Sequence, residues 1–172
     1  MYYTIMDTCV GEILIAGDKQ GLRYVSFCQG KHPQEIQNDW EENQTFLQEA
    51  VDQLEEYFAG KRRKFSLKLS PEGNVFQLKV LKALEKIPYG VTKSYGEIAE
   101  QIGHPKASRA VGMANGRNPI SIIIPCHRVI GKSGKLVGFG GGLDVKRKLL
   151  LLEGADIKEE QAYEKTLSTA GR

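Results

Sequence analysis

The residue types best suited to chemistry fall in one short run, Pro125-Cys126-His127-Arg128. A thiolate, not a thiol, is the nucleophilic form of cysteine, and cationic neighbours such as His127 and Arg128 lower a thiol's pKa. A thiol with a base in reach, the base oriented by a third group, is the general form of an activated nucleophile. A carboxylate is the natural third group, and Glu153 is the candidate. Adjacent side chains on a strand point to opposite faces, so Cys126 and His127 share a site only if the chain turns between them. Pro125, which ends the apolar run at 120–124, supplies a reason for a turn. Taken alone, Cys126 reads better as an inert core thiol, and His127 as a satisfied structural histidine.

Other chemistries find less support. Cys9, Cys28, Cys126, His32, His104 and His127 show neither C-x₂-C nor H-x₃-H spacing, so no metal is expected. There is no G-x-x-x-x-G-K-[ST] phosphate loop, and no cofactor is expected. The glycines of Gly138-Phe139-Gly140-Gly141-Gly142 suit a phosphate cradle, a backbone approach to a ligand or a hinge equally well.

Charge separates the chain in two. The whole 172-residue chain carries +3, but residues 88–150 hold ten Lys/Arg against three Asp/Glu. A basic segment is the footprint of a phosphate-binding surface, although solvated basic faces also arise without function. The hydrophobic fraction, 41%, and the charged fraction, 26%, are those of an ordinary globular protein rather than a disordered chain or coiled coil. No apolar run approaches the roughly 18 residues of a membrane span. The first residues lack the order of a signal peptide, and three cysteines form no disulfide framework. A cytoplasmic protein with free thiols is expected.

The elements that must position these residues are legible in outline. Runs at 2–6, 12–17 and 22–28, punctuated by glycines, predict an antiparallel meander. Helical spacing covers 43–59, stopped by Gly60, and 73–87, stopped by Pro88. Residues 65–69 and 120–124 read as strands. The charge run 61–64 is read as a solvated loop. Ser94 with Glu97 fits a capping box, opening a short helix to Gly103. A second short helix follows at 107–116, giving a helix-turn-helix candidate. Residues 132–142 form a glycine-rich loop and 143–152 a helix. Expected domains are 1–70 and 74–154, with a linker near 68–74 and a polar tail over 155–172.

Pro125-Cys126-His127-Arg128-Val129 resembles the active-site signature of the O6-alkylguanine-DNA alkyltransferases, which repair DNA by direct reversal. Residues 91–99, Ser108-Arg109-Ala110-Val111-Gly112, Asn115-Gly116-Arg117-Asn118-Pro119, Gly140-Gly141-Gly142-Leu143 and Leu152-Glu153-Gly154 look like further family motifs, in the family's order. The detailed match covers 74–154; the N-terminal part matches more loosely.

The resemblance implies an α+β fold: a small N-terminal antiparallel-sheet, ribonuclease H-like domain, then a mostly helical winged-helix-like domain with the helix-turn-helix. It implies a monomer that binds double-stranded DNA through the minor groove, flips an alkylated guanine and takes the alkyl group irreversibly onto Cys126. Flipping is required because the alkyl carbon lies inside the duplex. By the same resemblance, His127 takes the thiol proton through a water, Glu153 orients His127, and Asn118 braces the turn. Tyr95 resembles the hydroxyl donor to the departing guanine, and Arg109 the finger that fills the flipped base's place. Ser94, Arg117 and Arg128 are further expected DNA contacts. Ala107, Ala110, Gly112 and Ala114 are expected to let the second helix enter a minor groove only about 6 Å wide. Close helix packing explains those small residues as well. Val129, Gly140, Val137 and Ser121 are expected to shape the alkylguanine pocket. Ser121, Val137 and Gly140 depart from some relatives, which leaves open the range of alkyl groups and O4-alkylthymine. A damage sensor without transfer, a cysteine hydrolase and a helix-turn-helix regulator are the competing classes.

Overall fold

A computed structural model describes residues 1–157. Three strands, β1 (Tyr2–Thr8), β2 (Gly11–Asp18) and β3 (Gly21–Phe27), form the expected antiparallel meander. A two-residue strand, β4 (Glu41–Glu42), joins β1 in parallel and gives the order β3-β2-β1-β4. Nothing in two exposed glutamates marks a strand, because the pairing of their backbone with Tyr2 and Tyr3 makes it. The central strand β2 is covered on both faces, with Ile13, Leu14, Ile15 and Ala16 all buried.

Helix α1 (Gln48–Phe58) is shorter than the apolar spacing suggested and buries Ala50, Val51, Leu54 and Tyr57. Helix α2 (Val75–Glu85) starts at an Asn74–Gln77 capping box that the sequence reading did not single out. The Ser94–Glu97 box is present. The Ser94 hydroxyl accepts from the Glu97 amide at 3.1 Å, and the Ser94 amide donates to the Glu97 carboxylate at 2.7 Å. It opens α3 (Tyr95–Gln101), which packs on α4 (Ser108–Gly116) as the helix-turn-helix. Two dipeptide strands, β5 (Lys93–Ser94) and β6 (Val129–Ile130), pair in parallel beside it. Helix α5 (Leu143–Leu152) closes the fold. One continuous apolar core runs from Ile13 and Tyr57 to Ile98, Val111 and Leu149, so the sheet and the helices share it.

Two expected strands are corrected. Residues 65–69 make only an isolated bridge, Leu22 with Leu69. Residues 120–124 are not a strand despite three consecutive isoleucines, because Ile120 makes only an isolated bridge to Val25 and residues 121–124 turn. The Asn118 side chain closes that turn on itself. Its oxygen accepts from the Ile120 amide at 3.0 Å, and its nitrogen donates to the Ile124 carbonyl at 2.7 Å. Ile122 is driven to φ 71°, the left-handed region a β-branched residue rarely enters. The polar-tail boundary also shifts. Ala155 is buried against Ile130, Leu136 and Leu150, and the rest of that tail, 158–172, lies outside the described residues.

Candidate active site

The turn at 118–124 delivers Cys126 to the start of a single 3₁₀ turn, Cys126–Arg128. That turn resolves the neighbour problem of a strand, since its consecutive side chains fan around an axis. Cys126 is 3% exposed and forms part of the wall of a cavity of about 690 Å³. Tyr95, Asn118, Ser121 and Gly140 line the same space. So do Gly30, Lys31 and His32 from the loop after β3, which sequence reading left as scaffold. A larger cavity, about 1030 Å³, lies behind the turn against Pro125, Arg128 and Tyr89. Cys126 does not line it, so the smaller space is the candidate for chemistry.

Behind the thiol stands a buried charge cluster. His127 is fully buried, and its Nε2 meets Glu153 Oε2 at 2.5 Å. Arg128 Nε donates to Glu153 Oε1 at 2.6 Å, and its terminal nitrogen to the Ile87 carbonyl at 2.7 Å. Tyr57 donates its hydroxyl to Glu153 Oε2 at 2.7 Å, and the Gly90 amide donates to Oε1 at 3.2 Å. Burial by itself would raise the Glu153 pKa. The His127 hydrogen bond and the Arg128 guanidinium outweigh it and hold the carboxyl at about 2. Burial pushes the His127 pKa down, with Glu153 opposing, so the imidazole is neutral at pH 7. Its Nε2–H then donates to Glu153. Nδ1 makes no hydrogen bond to the described residues and is the nitrogen with a free lone pair. Burial pushes the Cys126 thiol up, against hydrogen bonding from Asn118 and the charge of Lys146. The resting site therefore holds a neutral thiol beside a neutral imidazole backed by a carboxylate.

The expected residues sort by position. Asn118 braces the turn through the two hydrogen bonds given above. Tyr95 opens α3 and donates its hydroxyl to the Val137 carbonyl at 2.8 Å, and burial raises its pKa. On α4, Arg109 and Ala110 are exposed, Ala107 and Gly112 are half-buried, and Arg117 is exposed beyond the helix end. Ser94 is half-buried in its capping box. Ala114 is corrected: it is buried with Val111 and Asn115 on the helix's inner face, where its small size serves packing. Arg128 is corrected as a DNA contact, because its guanidinium is enclosed by Glu153 and Ile87. Val129 is fully buried with its carbonyl on Lys146 Nζ at 2.6 Å, the Val137 carbonyl takes the Tyr95 hydroxyl, and Gly138, Phe139 and Gly140 line the cavity.

Sequence reading missed Tyr57, Asn115 and Lys146. Asn115 donates to the Cys126 carbonyl at 3.3 Å. Lys146 is fully buried and reaches the carbonyls of Val129, Val137 and Gly138. A lysine three residues before Leu149 on the apolar side of α5 was the available signal. Tyr57 offered none, since an aromatic at core spacing reads as packing. Among the described residues no cluster of His, Cys, Asp or Glu is arranged to hold a metal, and no helix is long and apolar enough to cross a membrane.

A sheet domain carrying a helical, helix-turn-helix domain with a cavity-wall thiol defines the class of protein, and sequence comparison names the family. Residues 75–155 match the 6-O-methylguanine DNA methyltransferase DNA-binding domain, and residues 1–71 its ribonuclease-like domain. The methylated-DNA–protein-cysteine methyltransferase of Methanosarcina acetivorans is 58% identical over 90% of this chain and 99% of its own length. That of Methanosarcina barkeri is 56% identical over 92% of this chain and its whole length. The crystal structure of Mycobacterium tuberculosis OGT in complex with DNA superposes with a TM-score of 0.83 at 48% identity, covering 89% of this chain and 92% of that one. The chain belongs to the 6-O-methylguanine DNA methyltransferase family.

Proposed function

We propose that the chain is a methylated-DNA–protein-cysteine methyltransferase, a DNA repair protein that moves an alkyl group from O6-alkylguanine to its own Cys126. The observation that carries this reading is Cys126 in a cavity wall, followed directly by a histidine tied to a buried carboxylate. In the reaction Cys126 Sγ forms a bond to the alkyl carbon while the bond from that carbon to guanine O6 breaks. The thiol proton passes through a water to His127 Nδ1, and Glu153 stabilises the imidazolium that results. The departing guanine takes a proton from Tyr95, whose hydroxyl first leaves the Val137 carbonyl, and Tyr95 regains a proton from solvent as the imidazolium gives up the one it took from the thiol. The thioether has no ready leaving path, so each molecule reacts once.

Damaged duplex DNA is the proposed partner, held through the minor groove. The exposed side of α4 supports this, with Arg109, Ala110, Met113 and Gly116 turned outward. The cavity lies at the foot of this helix, since Gly112, Met113, Asn115 and Gly116 line it. A base flipped from the duplex would enter there, with Arg109 filling its place. We assign residues 1–70 as scaffold and 74–154 as the DNA-binding and alkyl-acceptor unit.

Incubation with duplex DNA carrying O6-[methyl-³H]guanine tests the proposal. The expected result is one label per molecule, on the peptide containing Cys126, and none with Cys126→Ala. Repeated turnover, or label released as methanol, would overturn it.

A further inference from the structure

We infer that Tyr57 is a positioning residue of the alkyl-transfer site, reaching from the sheet domain to hold the carboxylate that orients His127; this rests on the alkyl-acceptor reading above. Tyr57 lies near the end of α1 and is fully buried. Its hydroxyl donates to the same oxygen, Glu153 Oε2, that meets His127 Nε2. The other oxygen takes Arg128 and the Gly90 amide. Four donors thus occupy a carboxylate with about four acceptor sites, so Glu153 has one orientation and His127 inherits it.

Packing alone would not call for the hydroxyl. The Tyr57 ring is boxed by Phe58 at 5.3 Å, Phe65 at 5.6 Å and Tyr89 at 6.3 Å between centroids. A phenylalanine fills that box equally well. The rigid box fixes the direction of the O–H, which is what a positioning group needs. The groups facing Glu153 are His127 and Arg128 from the 3₁₀ turn, Tyr57 from α1 and the Gly90 amide from the loop after α2, with the Tyr89 ring against Arg128 and Tyr57. Lys146 from α5 adds positive charge toward His127 and Cys126. Among these, burial beside Glu153 keeps the Tyr57 phenol protonated, so it acts only as a donor. The hydroxyl draws charge off Oε2. Without it more negative charge faces the imidazole, and His127 holds a second proton more readily. Each molecule then loses its free Nδ1 lone pair at a higher pH.

The test uses the full chain with Tyr57→Phe. The rate of Cys126 alkylation by free O6-methylguanine base is followed across pH, alongside affinity for undamaged duplex DNA and Tm. The expected result is an acid limb moved up by about one pH unit and a plateau rate about tenfold lower, with duplex affinity unchanged. An unaltered pH profile accompanied only by a lower Tm would overturn the inference. NMR of the His127 Nε2–H provides a second readout that needs no reaction. A displaced resonance in Tyr57→Phe supports the positioning role, and an unchanged one overturns it. A wild-type chain inert toward alkylated DNA and base would overturn the alkyl-acceptor reading instead and leave the NMR test standing.

Discussion

Arg128 separates a structural from a DNA-contacting role most sharply. It lies in the basic segment and directly beside the thiol pair, yet its side chain is 7% exposed and its partner Glu153 is fully enclosed. Arg128→Met removes the guanidinium while keeping much of its length and apolar volume. The loss comprises the ion pair to Glu153, the bond to the Ile87 carbonyl and the contact with the Tyr89 ring. Breaking a buried pair by deleting one member costs about 3–5 kcal/mol, because the other charge stays buried. Glu153 keeps the Tyr57, His127 and Gly90 donors, so the low end, about 3 kcal/mol, is expected here. For a domain of this size that lowers Tm by roughly 6–12 °C. Calorimetry measures the shift. Titration of undamaged duplex at several salt concentrations measures the phosphate contacts, each worth about 0.9 in the slope of log K against log salt. The expected outcome is a large fall in Tm with an unchanged slope. A wild-type Tm with a slope reduced by about one would refute the enclosed-ion-pair reasoning and restore Arg128 to the DNA surface.

Acid should weaken the fold in two stages. The folded-state pKa values of His127 and Glu153 both lie below their ordinary values. Their stabilisation is therefore present above the unfolded values, about 6.5 and 4.3, and is lost as pH falls. Tm is expected to fall below pH 6.5 and again from about pH 4.5 toward 2, with the second stage missing in Glu153→Gln; a flat Tm over that range contradicts the buried cluster. Arg109→Ala is expected to lower repair of alkylated duplex about tenfold, since flipping a base costs a few kcal/mol that a filled gap offsets. Reaction with the free alkylated base should fall far less. Equal losses on both substrates would remove Arg109 from the finger role.

Much of the fold was legible because local signals and tertiary structure agree. The meander shows in β-branched runs broken by glycines, and α3 in a capping box that the chain uses as written. The isoleucines at 122–124 misled because apolar content was read as extension. The decisive signal was the preceding Asn118, whose side chain bonds both ends of the turn. Cys126, His127 and Glu153 were put together from the chemistry of an activated nucleophile and again by resemblance, and the fold gathers His127 and Glu153 into one hydrogen-bonded pair beside the thiol. The Tyr57 contact spans 96 positions of sequence, and no local pattern encodes a contact of that range. Arg128 shows the opposite error, since a positive charge in a basic segment says nothing of which way the side chain turns.

The edge of the sheet has a second significance. An edge strand offers unpaired backbone groups to any passing strand and invites aggregation. Here β3 is the edge, and its Val25 is already engaged: its amide donates to the Pro119 carbonyl at 2.9 Å, and its carbonyl accepts from the Ser121 amide at 2.9 Å. The loop that presents the thiol thus guards this edge at Val25, as residues 68–70 guard it at Leu22. An adduct on Cys126 bulky enough to push Pro119 and Ser121 away would uncover the Val25 stretch of that edge. A chain that has completed its single reaction with such a substrate would then carry an adhesive strand, and its solubility would record the size of the group it removed.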